Sequence, residues 1–160
     1  MENDPGRQML RHTVATLAYR GGKTLRDAPP EFASCTPGPG TRTAAEILAH
    51  IGDLLNWALV LLRDGSGGAN SKPLPWSQEV DRFFASLTAL DAFLASEAPL
   101  KSPVETVFQG PIADALTHVG QLSMIRRLAG CAIRGENYFV ADIVTGRVGR
   151  DQAAPRREFD

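Results

Sequence analysis

Charge of one sign is what this chain most plainly lacks. Its 160 residues carry 17 Lys and Arg against 18 Asp and Glu, so there is no basic excess of the kind that neutralises a phosphate backbone. Nucleic acid is therefore excluded as a first reading. Cysteine is scarce as well. Cys35 and Cys131 stand far apart without CxxC spacing, which excludes a disulfide framework and a thiolate zinc site and leaves two reduced, small apolar residues. An uninterrupted apolar run is also missing. The longest stretch, Ala44 to Leu62, has the length of a membrane span, but Glu46, His50, Asp53 and Asn56 break it on a helical period, so it reads as a core helix and no membrane partner is expected. The first residues carry acid where a signal peptide has a basic region followed by an apolar one, so a cytoplasmic protein is expected.

What is present is the composition of one ordinary globular domain, residues 1–160, with 43% hydrophobic and 22% charged side chains. Glycine and proline cut the chain into helix-length pieces. The first runs from about Pro5 to Arg26 with Leu10, Val14, Leu17 and Leu25 on or near one face, and stops before Pro29-Pro30. A Pro- and Gly-rich loop then reaches Gly40. Thr43-Ala-Ala-Glu46 reads as a capping box that opens a second helix, whose stripe is Ile47, Leu48, Ile51, Leu54, Leu55, Ala58 and Leu62 and which Gly65, Gly67 and Gly68 end. A third helix is expected over Trp76 to Ala95, with Val80, Phe83, Phe84, Leu87, Leu90 and Leu94 at helical spacing. Ser102-Pro-Val-Glu105 resembles a second capping box, interrupted by Gly110-Pro111. A fourth helix begins near Pro111, carries Ile112, Leu116, Leu122, Ile125 and Leu128, and ends at Gly130 with Arg126 and Arg127 on the negative end of its dipole.

Beyond Gly130 the period is lost. Tyr138 to Ile143 is the one apolar run in the tail and is expected to pack along the bundle as irregular structure or a short helix. Arg147, Arg150, Arg156 and Arg157 are offset by Asp151, Glu158 and Asp160, which reads as a solvated mixed-charge tail. The fold expected is all-α: an up-and-down-like four-helix bundle with an irregular C-terminal tail from about residue 131.

The anomaly is polar. Asp114, His118, Gln121 and Ile125 follow 4-3-4 spacing on the fourth helix, so a carboxylate, an imidazole and an amide share one stripe with the core. On the second helix His50 shares its stripe with Ile47, Leu54, Trp57 and Leu61. A carboxylate in an apolar interior needs a counter-charge, which a divalent metal supplies; Asp-x3-His presents two ligands one turn apart, and His50 closes the set from the neighbouring helix. The plainer alternative is an i, i+4 pair of Asp114 and His118, with His50 bonded to a core carbonyl. His12 falls off the apolar face of the first helix and reads as a surface residue.

Two segments resemble the DinB/YfiT-like superfamily of helical metalloproteins: Thr43-Ala-Ala-Glu-Ile-Leu-Ala-His50-Ile-Gly-Asp53 and Asp114-Ala-Leu-Thr-His118-Val-Gly-Gln-Leu122. With the helix order, the resemblance covers about Met9 to Gly130. It implies a four-helix bundle, a homodimer, and a divalent metal bound by a histidine of the second helix and two of an H-x3-H motif. His50 and His118 occupy two of those positions, and Gly120-Gln121 matches a glycine-glutamine pair. Asp114 stands where the family has its remaining histidine. The implied ligand set is therefore two imidazoles and a carboxylate, harder and one charge more negative. Zinc or nickel is expected ahead of iron or manganese. Gln121 should support the ligands rather than join them, and Leu54, Trp57 and Ile125 should wall the site.

Family members include S-transferases and isomerases that use a low-molecular-weight thiol, so a metal-dependent thiol transferase acting on a small molecule is the leading expectation. A metal-dependent hydrolase and a non-catalytic metal-binding stress or interaction module are the alternatives. Glu46 and Asp53 read equally well as solvent-facing, so no general base stands out. Homodimerisation has a second motive in Trp57, Trp76, Phe83 and Phe84, more large apolar surface than one small bundle obviously needs.

Overall fold

Helix α1, Pro5–Leu25, begins where Asp4 accepts the Gly6 and Arg7 backbone N–H groups at 3.0 and 3.1 Å, with Pro5 in the first turn. In this computed structural model, which describes residues 4–68 and 70–159, Leu10, Val14, Leu17 and Leu25 are buried as their spacing requires. His12 is exposed, its Nδ1 3.2 Å from the Thr145 hydroxyl. The Pro-rich connection holds an element that the periodicity does not announce. Pro30–Ser34 is a 3-10 turn that drives Phe32 fully into the core, edge-on to Trp76 at 5.4 Å.

Helix α2, Ala44–Asp64, opens on the expected capping box: Glu46 N–H donates to the Thr43 hydroxyl at 3.2 Å, and the Glu46 carboxylate accepts Thr43 N–H at 2.7 Å. Gly65, in the left-handed region at φ +85°, closes it. Among the described residues α2 is the one helix long and apolar enough to cross a membrane. Here its stripe is spent on protein, since Ile47, Leu48, Ile51, Leu55, Ala58 and Leu62 are all buried against the bundle. Helix α3, Trp76–Ala95, buries its six predicted positions.

The second capping box does not form. Pro103 is the cap of a single turn, α4, Val104–Val107, while the Ser102 hydroxyl donates instead to the Leu61 carbonyl at 2.9 Å and ties the turn to α2. What reads as a break at Gly110-Pro111 is a widened π turn, Phe108–Ile112, that runs directly into helix α5, Ala113–Leu128. Proline has no N–H to give and its ring crowds the preceding turn, so the ladder opens by a residue and Gly110 takes a non-helical ψ of −106°.

The four long helices enclose the core in the order α1, α3, α2, α5: each of α1 and α2 packs against both α3 and α5. The fold is all-α. The connection from α1 to α2 therefore runs across the bundle, and Phe32 is the plug it carries. At one crossing a Cβ on Gly21 of α1 would meet the Phe83 ring at 2.5 Å, so that position admits only glycine at this approach.

The tail is more ordered than a solvated segment. Gly135–Glu136 and Glu158–Phe159 pair as a minimal antiparallel ladder, β1 and β2, with a 3-10 turn at Tyr138–Val140 between them. Glu136 is buried and accepts the Tyr19 hydroxyl at 2.6 Å and the Lys23 ammonium at 2.7 Å, which fastens the tail to α1. The tail arginines are mostly spent on ion pairs. Arg147 and Arg156 meet Asp142 and Arg150 meets Asp81. Within the apolar run, Ile143 packs on the core whereas Phe139 is 97% exposed.

Candidate metal centre

The contact between α2 and α5 brings the predicted polar residues together. His50 comes from the first half of α2, Asp114 from the first turn of α5, and His118 from one turn later. The two imidazoles lie with ring centroids 4.8 Å apart, tilted by 68°. One carboxylate oxygen of Asp114 is 3.6 Å from His50 Nε2, and the other is 3.2 Å from His118 Nδ1. Each residue places one ligand-type atom within 4.8 Å of the others.

Hydrogen bonding decides which imidazole nitrogen is available. His118 Nδ1 is 2.8 Å from the Asp114 backbone carbonyl, an oxygen that can only accept. Nδ1 therefore carries the proton, and Nε2 is left as a bare donor of electrons, the arrangement that commonly orients a metal-binding histidine. Burial pushes the His50 imidazole below its ordinary pKa, and Arg42 and His118 push the same way against the opposing pull of Asp114. Neutral imidazole is the form that can coordinate.

The donor set fits a divalent ion in kind; in spacing, the 3.2 Å approach of His118 to the Asp114 carboxylate is made by Nδ1, the nitrogen engaged with the Asp114 carbonyl, and not by Nε2. Ligand atoms at ~2.0 to 2.1 Å around a tetrahedral zinc lie about 3.3 Å from one another. The cluster is looser than that, and its most exposed member is Asp114, whose side chain is 45% accessible and accepts the Thr117 hydroxyl at 3.4 Å. No lysine or arginine among the described residues pairs with the Asp114 carboxylate.

Asp53 has the opposite fate. It is buried, not solvent-facing, and it accepts Arg82 at 2.7 Å and the Ser71 N–H at 2.8 Å. Burial alone would raise its carboxyl, but the Ser71 N–H and the Arg82 guanidinium together hold it below the ordinary range. Arg82 reaches it by crossing Gly52, where a Cβ would stand 2.8 Å from the guanidinium carbon, and also donates to the Ala49 carbonyl and to buried Glu79. That network stiffens the α2 turn bearing His50. Glu46 is exposed and occupied with the helix cap.

The expected wall residues divide between two depressions. His50, Leu54, Trp57 and Asp114 line a pocket of about 430 Å³ whose far side is Gly67, Gly68 and Asn70. His118, Gln121 and Ile125 line another of about 450 Å³, with Arg42 at its edge. Gln121 shares that second depression with His118 and makes no hydrogen bond to the triad. The turn after α2 was legible only as a helix stop, yet it builds one wall. Gly68, at φ +142°, lets the backbone close on Trp57, where a Cβ would meet the indole at 2.9 Å.

No family model, no curated protein and no solved structure matches this chain.

Proposed function

We propose that the protein binds one divalent metal through His50, Asp114 and His118, as a member of the DinB/YfiT-like helical metalloproteins, and uses it in transferring a low-molecular-weight thiol to a small electrophile. The observation that carries the reading is the convergence of the three ligand-type side chains from two helices within 4.8 Å, at the edge of a pocket large enough for a small molecule. The resemblance of the two ligand-bearing segments supplies the reaction class.

A divalent ion held there supplies Lewis acidity, lowering the pKa of a thiol beside it so that thiolate is present at neutral pH. The chain's own part is orientation and polarity. The Asp114 carbonyl fixes the His118 tautomer; the Asp114 carboxylate offsets one unit of the ion's charge; Leu54 and Trp57 provide an apolar wall on which a substrate body can lie. In the transfer to a halide, a sulfur–carbon bond forms as the bond from carbon to the leaving halide breaks and the thiol proton passes to solvent; with an activated alkene the sulfur–carbon bond forms as the C=C π bond opens and the adjacent carbon takes up a proton. A carboxylate ligand makes the ion a weaker Lewis acid than three histidines would, and zinc or nickel suits the mixed set. The two free cysteines accord with a reducing, cytoplasmic setting.

Homodimerisation belongs to the same proposal and now rests on the resemblance. Phe83 and Phe84 are core, and Trp76 packs on Phe32, leaving Trp57 as the exposed one of the four aromatics.

The test is a screen of zinc- or nickel-loaded protein with glutathione and cysteine against an aryl halide and an activated alkene. Metal-dependent turnover that Asp114→Ala loses and Asp114→His keeps is the expected result. Absence of metal-dependent turnover with every pair, from protein shown to hold the ion, would replace the transferase by a metal-binding module.

A further inference from the structure

Helix α5 has a second face. Leu116, Gly120, Ser123 and Arg127 repeat the 4-3-4 spacing of the metal stripe, displaced by half a turn of the helix, so they point away from it. Between this face, α1 and the start of the tail lies a separate pocket of about 360 Å³.

Its charge is unlike that of the chain as a whole. Arg20, Arg127 and Arg134 line it against a single acid, Glu136, in a protein whose net charge is −1. Glu136 is already neutralised, one oxygen by the Tyr19 hydroxyl and the other by Lys23. Arg134 has Glu158 at 3.4 Å. Arg20 and Arg127, by contrast, have no carboxylate partner among the described residues, whereas Arg11, Arg82 and Arg147 are all paired. Arg20 is nonetheless held in place, its guanidinium 4.3 Å from the centroid of the Tyr138 ring. A cation fixed by an aromatic face and lacking an anion is a pre-oriented half of an ion pair.

The rest of the pocket describes the other half of its ligand. Leu116, Val119 and Ile133 give it apolar walls, and Ser123 places a hydroxyl on its floor, 2.9 Å from that of Thr24. Gly120 supplies the room: a Cβ there would meet nothing within 4 Å, so packing does not demand glycine, and any larger side chain would grow into the open space.

We propose that this pocket binds a small organic oxyanion, a carboxylate or phosphate on a short apolar or aromatic body, clamped by Arg20 and Arg127. The site is independent of the metal reading, since it shares no residue with the triad.

Isothermal titration of the full chain with phenyl phosphate, benzoate, inorganic phosphate and benzyl alcohol tests it. Phenyl phosphate or benzoate should bind with Kd below about 1 mM, and tighter than inorganic phosphate or the neutral alcohol. The double variant Arg20→Gln/Arg127→Gln, both at exposed positions, should weaken that binding by about tenfold or more. Gly120→Leu should abolish it while circular dichroism stays unchanged. If neither organic anion binds in this range, if inorganic phosphate binds as well as they do, or if the double arginine variant retains wild-type affinity, the proposal is wrong.

Discussion

Asp53 and Asp114 are both carboxylates near His50, and their surroundings give them different work. Asp53 has a guanidinium and a backbone N–H and is electrically finished. Asp114 faces two imidazoles and no fixed cation. Removing the Asp53 charge leaves Arg82 short of a buried partner, so Asp53→Asn should cost about 1 to 3 kcal/mol in urea unfolding at pH 7. The pH dependence follows from its lowered carboxyl. A folded-state pKa below the ordinary value of about 3.9 gives stability that is complete above that value and is lost as pH falls through the folded one. The gap between wild type and Asp53→Asn should therefore narrow below about pH 4; a gap that widens with acid would contradict the pairing. At Asp114 the same substitution should barely change stability, because the side chain is half exposed.

The elements that could be read from the sequence are those with period and punctuation. α2 is legible because its apolar residues recur at helical spacing between a capping box and a glycine, and α3 because its own recur directly after Pro75. His50 and His118 are legible from the same periodicity, but the stripe His118 shares with half-exposed Asp114 and exposed Gln121 runs along the edge of the core and not, as the spacing suggested, through an apolar interior. Thr43→Ala removes the oxygen that receives the Glu46 N–H and should cost about 1 kcal/mol, measured as a lower urea midpoint with unchanged slope. Phe32 is illegible because one aromatic between prolines has no period, although it is completely buried in the core. Phe32→Ala should cost about 3 to 5 kcal/mol in the same measurement. The Gly67, Gly68 and Asn70 wall was hidden likewise, since a turn announces where a helix stops and not what its backbone will face. The π turn at Phe108–Ile112 was foreseen as a break, because proline forbids the ordinary ladder, but not as the continuous entry that sets Asp114 in the first turn of α5.

Two long-range ties make one body of these parts, and neither has a local signature. Buried Arg126 donates to the Thr24, Arg26 and Cys131 carbonyls at 2.7 to 2.8 Å, closing the end of α1 from the end of α5. Glu136 does the same for the tail, and burial with the Glu136 hydrogen bond raises the Tyr19 hydroxyl well above its ordinary pKa. Tyr19→Phe leaves a buried carboxylate oxygen without its donor. It should cost about 1 to 3 kcal/mol and speed amide exchange across the Gly135–Phe159 ladder while the helices stay protected. If the tail is instead an independent appendage, its exchange will not respond to Tyr19. The bundle brings His50, Asp114 and His118 together, and the proposal is that they hold one metal ion. The direct test is elemental analysis of protein purified without an affinity tag and reloaded with zinc or nickel after chelation. One ion per chain in wild type, lost in His118→Ala and in Asp114→Ala with helical content intact, is the predicted result; an unchanged ion content in either variant, or none in reloaded wild type, would contradict it.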